Sequence, residues 1–168
     1  MRLFGLLCVC AAVVCGGVFL VSSQRRSAEQ LAGFAAYFEC LAFAAGRHGG
    51  DSAQLIRVCA GRAGERFAFP KALMDTYAET GDLCASWARA LEACGAARYL
   101  GEEVFGELLA FGPAFASPSL AEFQESCGRY AARLDALAAA AAEKLRREEK
   151  LIIPMASLLA ALLFIILV

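Results

Sequence analysis

The side chains of this 168-residue chain that could do chemistry are eight cysteines, one histidine and a group of glutamates. The cysteines stand at 8, 10, 15, 40, 59, 84, 94 and 127, with no C-x-x-C pair for zinc or redox work. Cys8-x-Cys10 is the tightest spacing, and a small membrane-embedded enzyme or thiol carrier using this pair is a rival reading. The five cysteines after residue 21 are an odd set, so export would leave a thiol unpaired; reduced, mostly buried thiols acting as small apolar side chains are expected. His48 lies in Gly46-Arg47-His48-Gly49-Gly50, which lacks the G-x-x-x-x-G-K-[ST] pattern and follows a helical stretch, so it reads as a solvated turn. Glu103 and Glu107 share a helix face, with Glu102 beside them, but no histidine or metal-ligand pairing accompanies them, and they read as a solvated acidic face. No G-x-S-x-G or H-x-x-E occurs. The expectation is no enzyme: no catalytic, cofactor-binding or metal-binding residue, no nucleic acid and no small-molecule substrate.

Composition directs attention elsewhere. Hydrophobic residues make up 60% of the chain, and formal charge is −1; an average domain is roughly 45–50% apolar. These values exclude a disordered tail, a collagen-like repeat and a basic nucleic-acid binder. Charge is unevenly placed: only Arg2 falls within residues 1–21, and none within 151–168. Leu3 to Val21 is an uncharged run of 19 residues, about 28 Å as a helix against a hydrocarbon core of roughly 30 Å. Leu151 to Val168 gives 18 more, with Pro154 in the first turn, where the bilayer interface tolerates it. Both are expected to span a membrane.

A cleaved leader competes for the first run, with Val21-Ser22-Ser23 as a passable cleavage site. Arg25 and Arg26 directly after it favour a retained helix. Together with Lys144, Arg146, Arg147 and Lys150 they outnumber the positive charge on the far sides, so residues 22–150 are expected in the cytosol and both termini outside. The alternative, after cleavage, is an exported helical domain tethered by its C-terminal helix, with a generic structural or interaction role.

The middle reads as all-α. Leu31, Phe34, Phe38, Leu41 and Ala45 recur at steps of three and four, ending at the Gly46–Gly50 turn, with Asp51 as N-cap of a second helix carrying Leu55, Ile56, Cys59 and Ala63. Gly61 and Gly64 mark its end. Pro70 opens a third helix with Leu73, Met74 and Tyr77, ended by Gly81. Asp82 caps a fourth with Leu83, Cys84, Trp87, Leu91 and Cys94, closed by Gly95. A fifth carries Leu100, Val104, Phe105, Leu108 and Leu109 and runs into Gly112-Pro113. No stretch alternates with the period of two that a strand needs.

The last helix, capped by Ser117 or Ser119 with Pro118 near its first turn, carries Leu120, Phe123, Cys127, Tyr130, Leu134, Leu137 and Ala141 in an a/d seam. Packing of that seam within the chain is favoured over packing on a second chain. The helix is expected to continue through Lys144–Lys150, which would meet anionic head groups, into the membrane run. Asp75, Glu79, Asp82, Glu102, Glu103 and Glu107 could face a basic partner, or simply water.

In this order and spacing, Trp87 within Gly81–Leu91, Phe111-Gly112, Gln124, Leu134, the Ala138–Lys150 stretch and Leu158–Val168 resemble the stage III sporulation protein AB family. The resemblance implies a non-enzymatic membrane platform in the secretion-like channel between mother cell and forespore. It is similar to the platform proteins of type II secretion and type IV pilus machines. The partners it implies are the sporulation ATPase of the same operon, the membrane-ring proteins and membrane lipid; the location it implies is the mother-cell membrane facing the forespore.

Overall fold

The computed structural model describes residues 2–48, 52–62, 67–116 and 119–167, with side chains at all of these except 2–14, 20, 48, 52, 53, 62, 152, 153, 156, 157 and 159–167. Six α-helices follow in order: α1 (Arg2–His48), α2 (Ser52–Arg62), α3 (Phe69–Thr80), α4 (Leu83–Ala93), α5 (Ala96–Phe111) and α6 (Leu120–Leu167). A 3-10 turn, Gly112–Ala116, links α5 to α6. No strand occurs among the described residues, and the chain is all-α. It divides into two compact units, residues 29–138 and the pair of segments 1–28 and 139–168.

Local signals set most helix ends in unit 29–138. The Asp82 carboxylate accepts the backbone N–H of Cys84 at 2.9 Å and of Ala85 at 3.5 Å, capping α4. Gly81 ends α3 in the left-handed region, its N–H donating to the Tyr77 carbonyl, and Gly95 takes the same conformation between α4 and α5. The Ser119 hydroxyl accepts the Glu122 N–H at 3.3 Å, so Ser119 is the cap of α6. Asp51, Ala63, Gly64, Ser117 and Pro118 lie outside the described residues.

Four features differ from the sequence reading. Gly46, Arg47 and His48, expected in a turn, continue α1, since a single glycine is tolerated in a helix already held by packing upstream. Residues 22–26 are helical too, so α1 is one helix of 47 residues; Ser22 fits inside it by donating its hydroxyl to the Phe19 carbonyl at 2.8 Å. Gly101 (φ 78°, ψ 161°) breaks the helical path of α5 in a region that only glycine occupies easily. On α6, Ala131 and Ala138 are buried alongside Phe123, Cys127 and Leu134, while Leu120 is 41% exposed and Tyr130 and Leu137 are half-buried. The buried face is therefore the broader stripe of a globular core rather than an a/d seam, because a 3.6-residue turn drifts about 20° per heptad.

The core of this unit is built on one face of α1: Phe34, Tyr37, Phe38, Leu41, Ala44 and Ala45 are all buried. Phe34 meets the rings of Phe67 and Phe69, both at 4.9 Å between centroids. A side chain at Gly33 would lie 2.7 Å from the Phe67 ring, so glycine there is what admits that ring to α1. Phe38 contacts Trp87, Phe111 and Tyr130, at 5.8, 4.7 and 5.3 Å. The face of α6 thus finds its partners in its own chain: Phe123 meets Phe111 and Phe115, and the Gln124 amide donates to the Ala42 carbonyl at 3.1 Å.

Trp87, fully buried, contacts rings from α1, α3, α5 and the 3-10 turn. Its indole N–H donates to the Leu108 carbonyl at 2.7 Å. Truncating such a side chain costs about 3–5 kcal/mol, so Trp87→Ala is expected to lower the unfolding free energy by that amount. Trp87→Phe is expected to cost less, keeping ring packing but orphaning the carbonyl; denaturant titration followed by circular dichroism measures both.

Candidate functional site

The residues that sequence inspection picked out do not converge on one cleft. Glu103 and Glu107 both reach Arg133 of α6, Glu103 at 3.6 Å and Glu107 closer, and the Tyr130 hydroxyl donates to the Glu107 carbonyl at 3.3 Å. Two of the three glutamates are thus partly neutralised and fasten α5 to α6, each exposed pair contributing about 0–1 kcal/mol. Asp82 is committed to capping α4, while Asp75, Glu79 and Glu102 are exposed. His48 closes α1, and its side chain lies outside the described residues; neighbouring Arg47 sits over the Phe43 ring at 5.9 Å.

The cysteines separate by environment. Cys59 and Cys127 are buried, Cys40 and Cys94 half-buried, Cys15 and Cys84 exposed; none of these six is in a disulfide, and the side chains of Cys8 and Cys10 lie outside the described residues. Cys84, expected on the core face of α4, misses it because Leu83, Ser86, Trp87, Ala90 and Leu91 take the helical steps that face inward. Burial pushes the Cys127 thiol from its ordinary 9.0 up to about 12, and raises that of Cys94. Among the described residues no three His, Cys, Asp or Glu side chains approach closely enough to hold a metal ion.

Two polar arrangements escaped the sequence reading. Between α3 and α4, the buried Ser86 hydroxyl donates to the Asp82 carbonyl and lies 2.6 Å from the Thr80 hydroxyl. Thr76 donates mainly to the Ala72 carbonyl at 2.8 Å and also approaches the Ser86 carbonyl at 3.2 Å. Each buried oxygen has a partner, so the network joins the helices without a desolvation penalty. Tyr37 is the opposite case: its hydroxyl is buried with no hydrogen-bond partner. Burial, before the nearby thiols of Cys59, Cys40 and Cys127, raises its phenol well above the ordinary 10.0.

Of the residues that carry the resemblance noted above, Trp87, Phe111, Gly112, Gln124 and Leu134 belong to one unit, while residues 139–150 and 158–168 belong to the other. Trp87 and Phe111 are 5.3 Å apart, Gly112 and Leu134 are buried, and Gln124 ties α6 to α1. These five therefore serve the packing of that unit and the contact of α6 with α1. The family model for stage III sporulation protein AB (spore_III_AB) matches residues 2–168. The chain belongs to that family. No curated protein and no solved structure gave a significant match. In this family member the matched span includes both uncharged runs. Among the described residues no helix is long and apolar enough to cross a membrane; most side chains of the runs Leu3–Val21 and Leu151–Val168 are among those the structure does not describe.

An unsatisfied buried hydroxyl costs about 1–3 kcal/mol. Tyr37→Phe is therefore expected to stabilise the protein by about 1 kcal/mol, read as a higher denaturant midpoint at unchanged m-value. The raised Cys127 thiol contributes stability that is complete below about pH 9 and is lost as pH rises toward about 12. From this group the loss reaches at most about 1.4 kcal/mol per pH unit. Alkaline unfolding curves of Cys127→Ala should accordingly be shallower between those limits than those of the native chain.

Proposed function

We propose that this sporulation-family protein is a non-enzymatic membrane platform of a secretion-like channel between mother cell and forespore. Residues 3–21 and 151–168 anchor it, and the helical domain between them, residues 22–150, stands in the cytosol and engages the assembly ATPase encoded in the same operon. The observation that carries this reading is the family match over residues 2–168, spanning a charged helical domain between two uncharged ends. Arg25 and Arg26 after the first run, and four basic residues before the second, support the cytosolic side for the domain. The aromatic interior around Trp87 and the polar Thr76–Thr80–Ser86 joint suit a stiff adaptor that passes on force rather than a catalyst.

Cys84 offers a direct test, being exposed in the first turn of α4. In a variant whose only cysteine is Cys84, a membrane-impermeant maleimide should label the protein after lysis and leave it unlabelled in intact cells. Labelling of intact cells, with Met1–Ser23 absent from the intact mass, would instead favour the exported tether. Co-purification of the ATPase with the full chain, or a change in its turnover, tests the partner.

A further inference from the structure

Charge is segregated along the fold. Residues 29–138 carry nine basic and 14 acidic side chains, a net −5, whereas the unit of residues 1–28 and 139–168 carries seven basic and three acidic, a net +4. Within that basic unit the structure sorts the cations into two kinds. On α6, Arg147 pairs with Glu143, and Lys144 with Glu148 at 3.7 Å, each within one turn of the helix. Arg26, Arg146 and Lys150 are exposed, and among the described residues no carboxylate lies within ion-pair distance of them. Glu149, the nearest acid in sequence to the last two, is half-buried.

Two of these cations, Arg146 and Lys150, adjoin exposed apolar surface on their own helix. Leu151, Met155 and Leu158 follow at steps of four and three, each more than 60% exposed, as one stripe of α6. Arg146, Lys150 and Pro154, at steps of four, edge that stripe. Such a surface wants hydrocarbon along its length and an anion at its end. A phospholipid of net negative charge supplies both in that order, whereas a zwitterionic headgroup brings its own cation to the phosphate.

We propose that Arg146 and Lys150 form a contact site for the headgroup of an anionic phospholipid, with Leu151, Met155 and Leu158 against its acyl chains. Lys144 and Arg147, occupied by their own glutamates, contribute little. The proposal rests on the membrane reading above and adds the lipid class and the residues that select it.

The test uses the full chain in a neutral detergent, with phosphatidylglycerol or phosphatidylcholine added and bound lipid counted by native mass spectrometry. Each cation near an anionic headgroup is worth about fivefold in affinity. Arg146→Gln/Lys150→Gln should therefore weaken phosphatidylglycerol binding about 25-fold. Lys144→Gln/Arg147→Gln should change it less than about threefold and serves as the control for fold and bulk charge. Equal binding of the two lipids, an unaffected Arg146→Gln/Lys150→Gln variant, or complete competition by glycerol phosphate would overturn the proposal. So would a dimer of the native chain that this variant abolishes, since the cations would then serve the acidic unit of a second copy. Flotation of the native chain with phosphatidylcholine vesicles after a carbonate wash tests the membrane reading separately, so the two failures are distinguishable.

Discussion

An indole cannot be dried without giving its N–H an acceptor, and the way Trp87 meets that requirement organises the larger unit. Its acceptor, the Leu108 carbonyl, belongs to the last turn of α5, where helix geometry leaves carbonyls without partners. One bond thus satisfies a buried donor and an orphan acceptor together and joins α4 to the end of α5. Around it the rings of Tyr37, Phe38, Phe69, Phe111 and Phe115 come from four other parts of the chain. Moving any of these elements would expose the ring or strand its N–H.

The same economy appears elsewhere. Tyr130 reaches the Glu107 carbonyl one residue away along α5, and Gln124 takes the Ala42 carbonyl of α1, so the segment of α6 in this unit is held by polar tips set among apolar rings. Packing supplies most of the free energy, and these directed bonds fix one register among several that packing alone would tolerate. Tyr37 shows the limit of the arrangement: its ring is in demand at the centre of the aromatic cluster, while its hydroxyl gains nothing there.

Much of this was legible in the sequence. The steps Leu31, Phe34, Phe38, Leu41 and Ala45 named the buried face of α1, and Asp82, Gly81 and Gly95 marked their helix ends, because these signals act within a few residues. The family resemblance was legible as well, carried in part by Trp87, Phe111, Gly112 and Leu134, which are buried in one unit. What stayed hidden depends on distant neighbours. Nothing local says that Phe67 will lie on Gly33, that Arg133 will collect two glutamates of α5, or that Gly101 rather than Gly106 will break the helix. The breadth of the α6 face was hidden for a related reason: alanine is silent about burial, and Ala131 and Ala138 could be placed inward only once α1 was opposite.

Trp87 is the chain's one tryptophan, and it is wholly enclosed. The fluorescence of the protein under selective excitation therefore comes from a single chromophore in a dry, ring-lined site of one unit. Its emission is a built-in gauge of that unit's integrity, read without any label and without contribution from a second indole.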